Sequence, residues 1–404
     1  MINIHFSSKK NKKKFQKKSF DNFNKLITNI NKDISNSSKT LNILNTKFKF
    51  NFNLKDLRRF KKFNTVAIIG MGGSILGAAA IYDFLKFKIK KKFYFFDNLD
   101  QDSIQEIKQN EDLNKVLFLI ISKSGNTIET LSNTFSLGVL NKNSKNIIVI
   151  AERKNNLLFS LSKKLNLFFI EHKKHVGGRY SVLSETGVIP AYLMGLNIEK
   201  LRSNIQKFLK GKNKIILRNN VIKLASFMSS KKFNNLIFLN YIPQLEKFLY
   251  WCQQLIAESL GKNKLGFLPV VSNAPKDHHS LLQLYLDGPK DKLFTIFSYE
   301  GKLKKKTKFN MLVKEENFLN KKSLSEIKIA QKNALIKVLK KKDIPFREFK
   351  FKKIDETILG ELFSYFIVET VLIGKLLKID PFNQPAVEEV KILTKKFLSK
   401  KNQK

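Results

Sequence analysis

From Asn64 onward the chain repeats one local pattern: a short run of β-branched and aromatic residues, a turn of glycine or small polar residues, then a helix-length stretch. TVAIIG leads through GMGGS into ILGAAAIYDFL, and KKFYFFD, VLFLII, NIIVIAE and LNLFFIEH continue the series. Runs that are apolar on both faces and separated by helix-length connections are what a parallel sheet under crossover helices requires. A second series starts near Lys231 with NLIFLNYI, passes through LEKFLYWCQQLIAESLGK, and goes on with FLPVVS, KLFTIF and FREFKF. The pattern predicts two α/β units joined near residues 205–232. A helical tail runs from Glu356 through Ile379, and PFNQPA breaks it before VEEVKILTKKFL. Residues 1–54 are polar and basic, with some helical periodicity and few positions suited to a core.

Several function classes recede at once. Asn64–Tyr82 carries no charge and is long enough to tempt a membrane-span reading, but Gly70, Gly72, Gly73 and Gly77 interrupt it. A strand, a glycine turn and a helix start fit it better. The first 20 residues are basic but lack the apolar stretch of a secretory signal, so a soluble chain without a membrane partner is expected. The one cysteine, Cys252, excludes an intramolecular disulfide framework and any multi-cysteine zinc site, and fits a reducing cytoplasmic compartment. The formal charge of +43 invites a nucleic-acid reading. Yet only seven of the 76 basic residues are arginine, and lysine, asparagine, phenylalanine and isoleucine abound together, as a composition drifted toward A/T-rich codons produces. No shaped basic patch with interleaved stacking aromatics stands out, and no nucleic-acid partner is expected.

Six short motifs carry the chemistry. SKSGNT, residues 122–127, lies between an apolar run and a helix-like stretch, where free backbone N–H groups and the helix dipole attract anions. Gly125 permits close backbone approach, and Ser122, Ser124 and Thr127 add hydroxyl donors. Short side chains on a rigid turn fix a phosphate where a long lysine supplies a mobile charge. The same residues also make ordinary helix caps. GMGGS, residues 70–74, is neither a P-loop nor a full dinucleotide fingerprint, because Ile75 stands where the third glycine belongs; Asp97 leaves that reading as a weak rival. HVGGRYSVLSETG places one of the scarce arginines, Arg179, after two glycines, where its charge can approach a ligand, though a surface arginine on a turn has the same look.

In QQLIAESLGK, Glu258 sits near the C-terminal end of an apolar helix, where the dipole disfavours a carboxylate and burial would tune it toward a base. The plainer reading is an exposed glutamate paired with Lys262. In PKDHHSLLQLYLDG, adjacent His278 and His279 point apart and make a poor chelating pair, so no metal is expected, whereas a proton shuttle is compatible. In PFNQPAVEEVK, Gln384 and Lys391 lie seven residues apart; if the segment after Pro385 is helical, Lys391 falls on the side of Gln384 about two turns on.

Taken together, GMGGS, SKSGNTIET, VGGRYSVLS, QQLIAESLGK, DHHSLLQLYLDGP and FNQPAVEEVK, in that order over residues 70–391, resemble the phosphoglucose isomerase family. The resemblance implies two sugar-isomerase-type α/β domains with parallel sheets flanked by helices, plus a C-terminal helical arm. Its boundaries are a basic segment 1–54, a first domain 55–215, a second 216–378, and an arm 379–404. It implies reversible interconversion of glucose 6-phosphate and fructose 6-phosphate in glycolysis and gluconeogenesis, through ring opening and a cis-enediolate. By the same resemblance Gly73 and Ser74 line the sugar-phosphate pocket, and Ser122, the backbone at Lys123, Ser124 and Thr127 cradle the phosphate with Glu129 nearby. Glu258 is the base with Gln254 beside it, Arg179 stabilises the enediolate, His279 assisted by Lys391 opens the ring, and Gln384 lies in the pocket. No metal and no organic cofactor is implied. The implied partners are a sugar phosphate and a second copy, in a cytoplasmic homodimer with shared sites.

Some positions depart from the family pattern. Residues 1–54 match nothing, Glu185 and Thr186 replace a small or apolar pair, Ala386 replaces a common glycine, and His278 stands where glutamine is frequent. A non-enzymatic sugar-phosphate-binding regulator would keep SKSGNT without needing Glu258, His279 and Lys391 together. Tolerance for mannose 6-phosphate depends on pocket shape and stays open at this level.

Overall fold

The computed structural model describes residues 3–7, 13–301 and 318–400. Parts of the basic segment, of the second unit (302–317) and of the arm (401–404) lie outside them. The first α/β series forms a five-stranded, wholly parallel sheet from β2 (Thr65–Gly70), β3 (Lys92–Phe96), β4 (Val116–Ile121), β5 (Ile147–Ala151) and β6 (Phe168–Glu171), after an initial strand β1 (Asn3–Ser7). Its spatial order is β3-β2-β4-β5-β6. Every residue of the central strand β4, VLFLII, is buried, because helices cover both faces. The order reverses between β2 and β4, and ligands of such sheets settle in the crevice at the carboxyl ends of the strands there. GMGGS leaves β2 and SKSGNT leaves β4, so both predicted loops open at that crevice.

The second sheet holds β7 (Asn235–Asn240), β8 (Leu268–Asn273), β9 (Lys292–Tyr299) and β10 (Phe346–Phe351), in the order β1-β10-β9-β7-β8. Its four later strands run parallel and repeat the arrangement of β2 to β5. β1 pairs antiparallel with β10 and covers what would otherwise be an open edge.

The helix Glu356–Leu376 is long and apolar enough to cross a membrane, but 94% of its apolar window is buried inside the protein. It packs on the helices Glu246–Leu260, Ile198–Arg202 and Gly211–Ser230. Phe363 and Phe366 interlock with Phe248, and Phe363 also meets Trp251 edge to face. Burying each such ring contributes roughly 2–3 kcal/mol. The uncharged stretch from Asn64 resolves into β2, a turn at Gly72–Ser74 and the helix Leu76–Leu85.

The amino-terminal segment differs from expectation. The helix Lys13–Ser35 buries Phe23, Ile27, Ile30 and Ile34, spaced four, three and four apart, and Leu41, Ile43 and Leu44 follow them into the core. Arg202 ties the segment down by donating to the carbonyls of Ile43 and Asn45 at 3.0 and 2.8 Å. The lysines and asparagines of its outer face mask a narrow apolar stripe, which is all that a helix packed on one side needs.

Candidate active site

SKSGNT folds as a tight knot of hydroxyls ahead of the helix Ile128–Leu137. Ser122 and Thr127 hydroxyls are 2.8 Å apart, and Ser124 lies 3.3 Å from Thr127 and 3.5 Å from Ser122. Gly125 has φ +69°, and a β-carbon there would meet the Asn156 side-chain oxygen at 1.8 Å. Asn156 is itself fixed by the Glu152 carbonyl and caps the helix Leu157–Lys164. The turn therefore admits only glycine at that point. Lys123 directs its ammonium away from this knot, to the Lys174 carbonyl at 2.9 Å and Glu152 at 3.7 Å. Its contribution to an anion at the turn is thereby limited to its backbone. Glu129 occupies the first turn of the helix, half-buried.

GMGGS packs by its backbone. A β-carbon on Gly73 would lie 2.1–2.5 Å from Gly178 and the Arg179 nitrogen, and one on Gly72 would lie 2.6 Å from Gln254 Nε2. The absence of side chains lets this loop, the Gly178–Leu183 turn and the helix carrying Gln254 converge. Ser74 closes the turn half-buried, its N–H donating to the Met71 carbonyl.

Arg179 is the centre of the arrangement. Only 4% of it is exposed, and its guanidinium makes five hydrogen bonds. Nε donates to Ser259 Oγ at 2.8 Å, and Nη1 to Glu258 Oε2 at 3.1 Å and Gln384 Oε1 at 2.8 Å. Nη2 donates to the carbonyls of Pro381 and Asn383 at 2.6 and 3.1 Å. The other Glu258 oxygen accepts from Gln254 Nε2 at 3.0 Å. The Glu258 side chain is 33% exposed, so it stays open to solvent while held from two sides. The plainer pairing with Lys262 does not occur, since Lys262 donates to the Ser259 and Asp380 carbonyls. Gln254 Oε1 is buried without a hydrogen-bond partner, leaving an open acceptor beside the carboxylate. The geometry thus joins Arg179, Glu258, Gln254 and Gln384 and abuts them on Gly72 and Gly73.

Ser259 and Tyr180 belong to the same network and were not singled out in the sequence. The Tyr180 hydroxyl lies 2.9 Å from Ser259 Oγ and donates to the Pro381 carbonyl at 2.8 Å. Their adjacency to Glu258 and Arg179 in the chain was the available signal.

Two predicted residues stand apart. His279, on the turn Lys276–His279, is exposed, while His278 turns inward to Tyr241. Lys391, on the helix Glu388–Lys400, is exposed and pairs with Glu388 at 2.7 Å. Among the described residues no hydrogen bond or ion pair connects either one to Glu258 or Arg179. A cavity of about 440 Å³ also lies elsewhere, lined by Phe227, Phe233, Tyr285, Phe294, Lys232 and Lys290 among others. Lysines are too frequent in this chain for its rim to signal a ligand, and the site is better located by its converging polar groups. Among the described residues no group of three or more His, Cys, Asp or Glu is placed to hold a metal ion.

Comparison with known proteins identifies the family. The family model described as phosphoglucose isomerase matches residues 53–404. The chain is 33% identical over 354 residues to the glucose-6-phosphate isomerase of Methanocaldococcus jannaschii, covering 84% of this chain and 85% of that protein. A hypothetical protein of Thermus thermophilus superposes with a TM-score of 0.78 at 22% identity, over 98% of this chain and all of that one. A glucose-6-phosphate isomerase of Chlamydia trachomatis superposes with a TM-score of 0.68 at 18% identity, over 86% and 72% of the two chains. The glycine-mediated convergence of two loops on an arginine–glutamate pair thus sits in a chain that belongs to the phosphoglucose isomerase family.

Proposed function

We propose that the family's reaction, the reversible interconversion of glucose 6-phosphate and fructose 6-phosphate, is run in this chain with Glu258 as the base and SKSGNT as the phosphate holder. The observation that carries the assignment is the Glu258 carboxylate, gripped by Arg179 and Gln254 yet accessible from solvent. Ser122, Ser124 and Thr127 offer hydroxyls, with the helix N-terminus behind them, to the sugar's phosphate. Gly73 and Ser74 form the adjoining wall. Once the ring is open, Glu258 takes the C2 proton, acidified by the neighbouring C1 carbonyl, and returns it to C1, while the O2 hydroxyl proton passes to O1 and leaves the carbonyl at C2. Moving a proton between adjacent carbons on one face suits a single carboxylate, and positioned base catalysis contributes roughly 10²–10⁴-fold. Arg179 stabilises the enediolate charge from a fixed position, with no reorganisation as the charge develops. Gln254 and Gln384 orient sugar hydroxyls.

Ring opening falls to His279, assisted by Lys391. In our reading these two complete the site when a second copy associates, in a cytoplasmic homodimer that needs neither metal nor organic cofactor. His279 is exposed and free to reach outward, and the helix bearing Lys391 leaves Val390, Leu393 and Phe397 exposed. An apolar stripe of that kind fits association.

The test is turnover of fructose 6-phosphate to glucose 6-phosphate in the presence of excess chelator, for the wild type and Glu258→Gln. Turnover by the wild type alone supports the assignment. A variant that still turns over removes Glu258 from the role of base.

A further inference from the structure

Two neighbouring histidines on one short turn have opposite surroundings. His278 is half-buried, with its Nε2 2.8 Å from the Tyr241 hydroxyl and the two rings edge to face at 5.7 Å and 76°. Tyr241 follows β7 and is 1% exposed. Burial and then the Glu348 carboxylate push its phenol above the ordinary value, while burial lowers His278. A phenol that keeps its proton thus shares a neutral hydrogen bond with the imidazole, its direction set by the His278 tautomer.

The turn is anchored a second time. The Asp277 carboxylate accepts the Asn273 N–H at 2.7 Å, and the Asn273 amide donates to Glu246 at 2.8 Å and accepts from Asn240 at 3.0 Å. Asn240 in turn accepts the N–H of Ile242, next to Tyr241, at 3.0 Å. The ends of β7 and β8 thus brace the turn from two sides. The His279 imidazole has no hydrogen bond or ion pair among the described residues. An exposed imidazole on a four-residue turn can be aimed only through its backbone.

We propose that Tyr241 is a positioning residue for ring opening: through its hydrogen bond to His278 it fixes the turn that presents the His279 imidazole to the sugar ring oxygen. This rests on the reading of His279 as the group that opens the ring. His278 is then the tether and not an alternative acid. Proton delivery needs donor and acceptor within hydrogen-bond reach, and a displacement of about 1 Å costs on the order of 10²-fold.

The experiment compares Tyr241→Phe, His278→Ala, His278→Gln and His279→Ala in the full chain. Ring opening is read by NMR exchange between the anomers of fructose 6-phosphate, and isomerisation by steady-state kinetics. Binding of arabinonate 5-phosphate, an acyclic mimic of the enediolate that needs no ring opening, reports an intact site. Tyr241→Phe and His278→Ala are expected to slow anomer exchange and kcat at least about tenfold, with KM and mimic binding nearly unchanged. His278→Gln is expected to recover most of the rate, because its amide can pair with the same phenol. Wild-type exchange in Tyr241→Phe and His278→Ala, with exchange lost in His279→Ala, would overturn the positioning role and leave His279 in place. Undiminished exchange in His279→Ala would overturn the underlying reading. Mimic binding lost in step with exchange in both tether variants would reduce Tyr241 to a structural role and overturn the proposal.

Discussion

Arg179 Nη1 approaches Glu258 Oε2 at 3.1 Å and Gln384 Oε1 at 2.8 Å, so one nitrogen binds residues 126 positions apart in the chain. The Glu258 carboxylate, the Gln384 amide and the segment at Pro381 are held by a single buried guanidinium. Replacing it with lysine keeps the charge but loses the planar fork. Arg179→Lys is expected to lower kcat/KM roughly 10²-fold, the scale for losing one preorganised electrostatic contribution to the developing charge. Steady-state kinetics check this, and kcat should fall more than KM rises.

Glu258→Gln preserves shape and can still accept from Arg179, but it cannot take a proton from carbon. We expect kcat to drop by roughly 10²–10⁴ while sugar-phosphate affinity persists. Calorimetric titration of the variant with fructose 6-phosphate separates the two.

Gly125→Ala meets both the left-handed backbone and the Asn156 oxygen. The turn must open, spoiling the hydroxyl knot. KM for the sugar phosphate is expected to rise more than kcat falls, and the melting temperature to drop by the equivalent of roughly 1–3 kcal/mol.

His172 is buried behind SKSGNT, and burial, with the Lys123 charge, lowers it to about 4 from 6.5. The native state resists protonation that the unfolded chain accepts below about pH 6.5. Stability is therefore lost as pH falls from about 6.5 to about 4, by a total of roughly 3 kcal/mol, and is unaffected by this group above that window. Thermal melts of His172→Asn across this range should show a shallower acid decline than the wild type.

If His279 serves the site of a second copy, two inactive variants complement each other. A refolded mixture of Glu258→Gln and His279→Ala should recover up to about a quarter of wild-type activity, since half of randomly formed dimers carry one competent site. No recovery in mixed dimers verified by mass would place His279 in its own copy's site.

The chain's alternation of apolar runs and helix-length segments determined the two parallel sheets, because a strand buried on both faces must be apolar throughout. VLFLII, six residues long and closed by a polar turn, has the length of such a strand and is short for a core helix. The glycines of GMGGS and SKSGNT likewise marked turns packed too closely for a β-carbon. Tertiary structure decided what local pattern does not encode. Glu258 pairs with Arg179 instead of Lys262 because the Gly178–Leu183 turn arrives beside its helix, a long-range event set by the absence of β-carbons at Gly72 and Gly73. Phe23, Ile27, Ile30 and Ile34 became core because a groove beside the Gly211–Ser230 and Glu356–Leu376 helices was there to take them. His278 and His279, identical in sequence terms, parted because one faces Tyr241 across a strand end and the other faces solvent. Composition sets which segments must be buried, but only packing sets which neighbour each one meets.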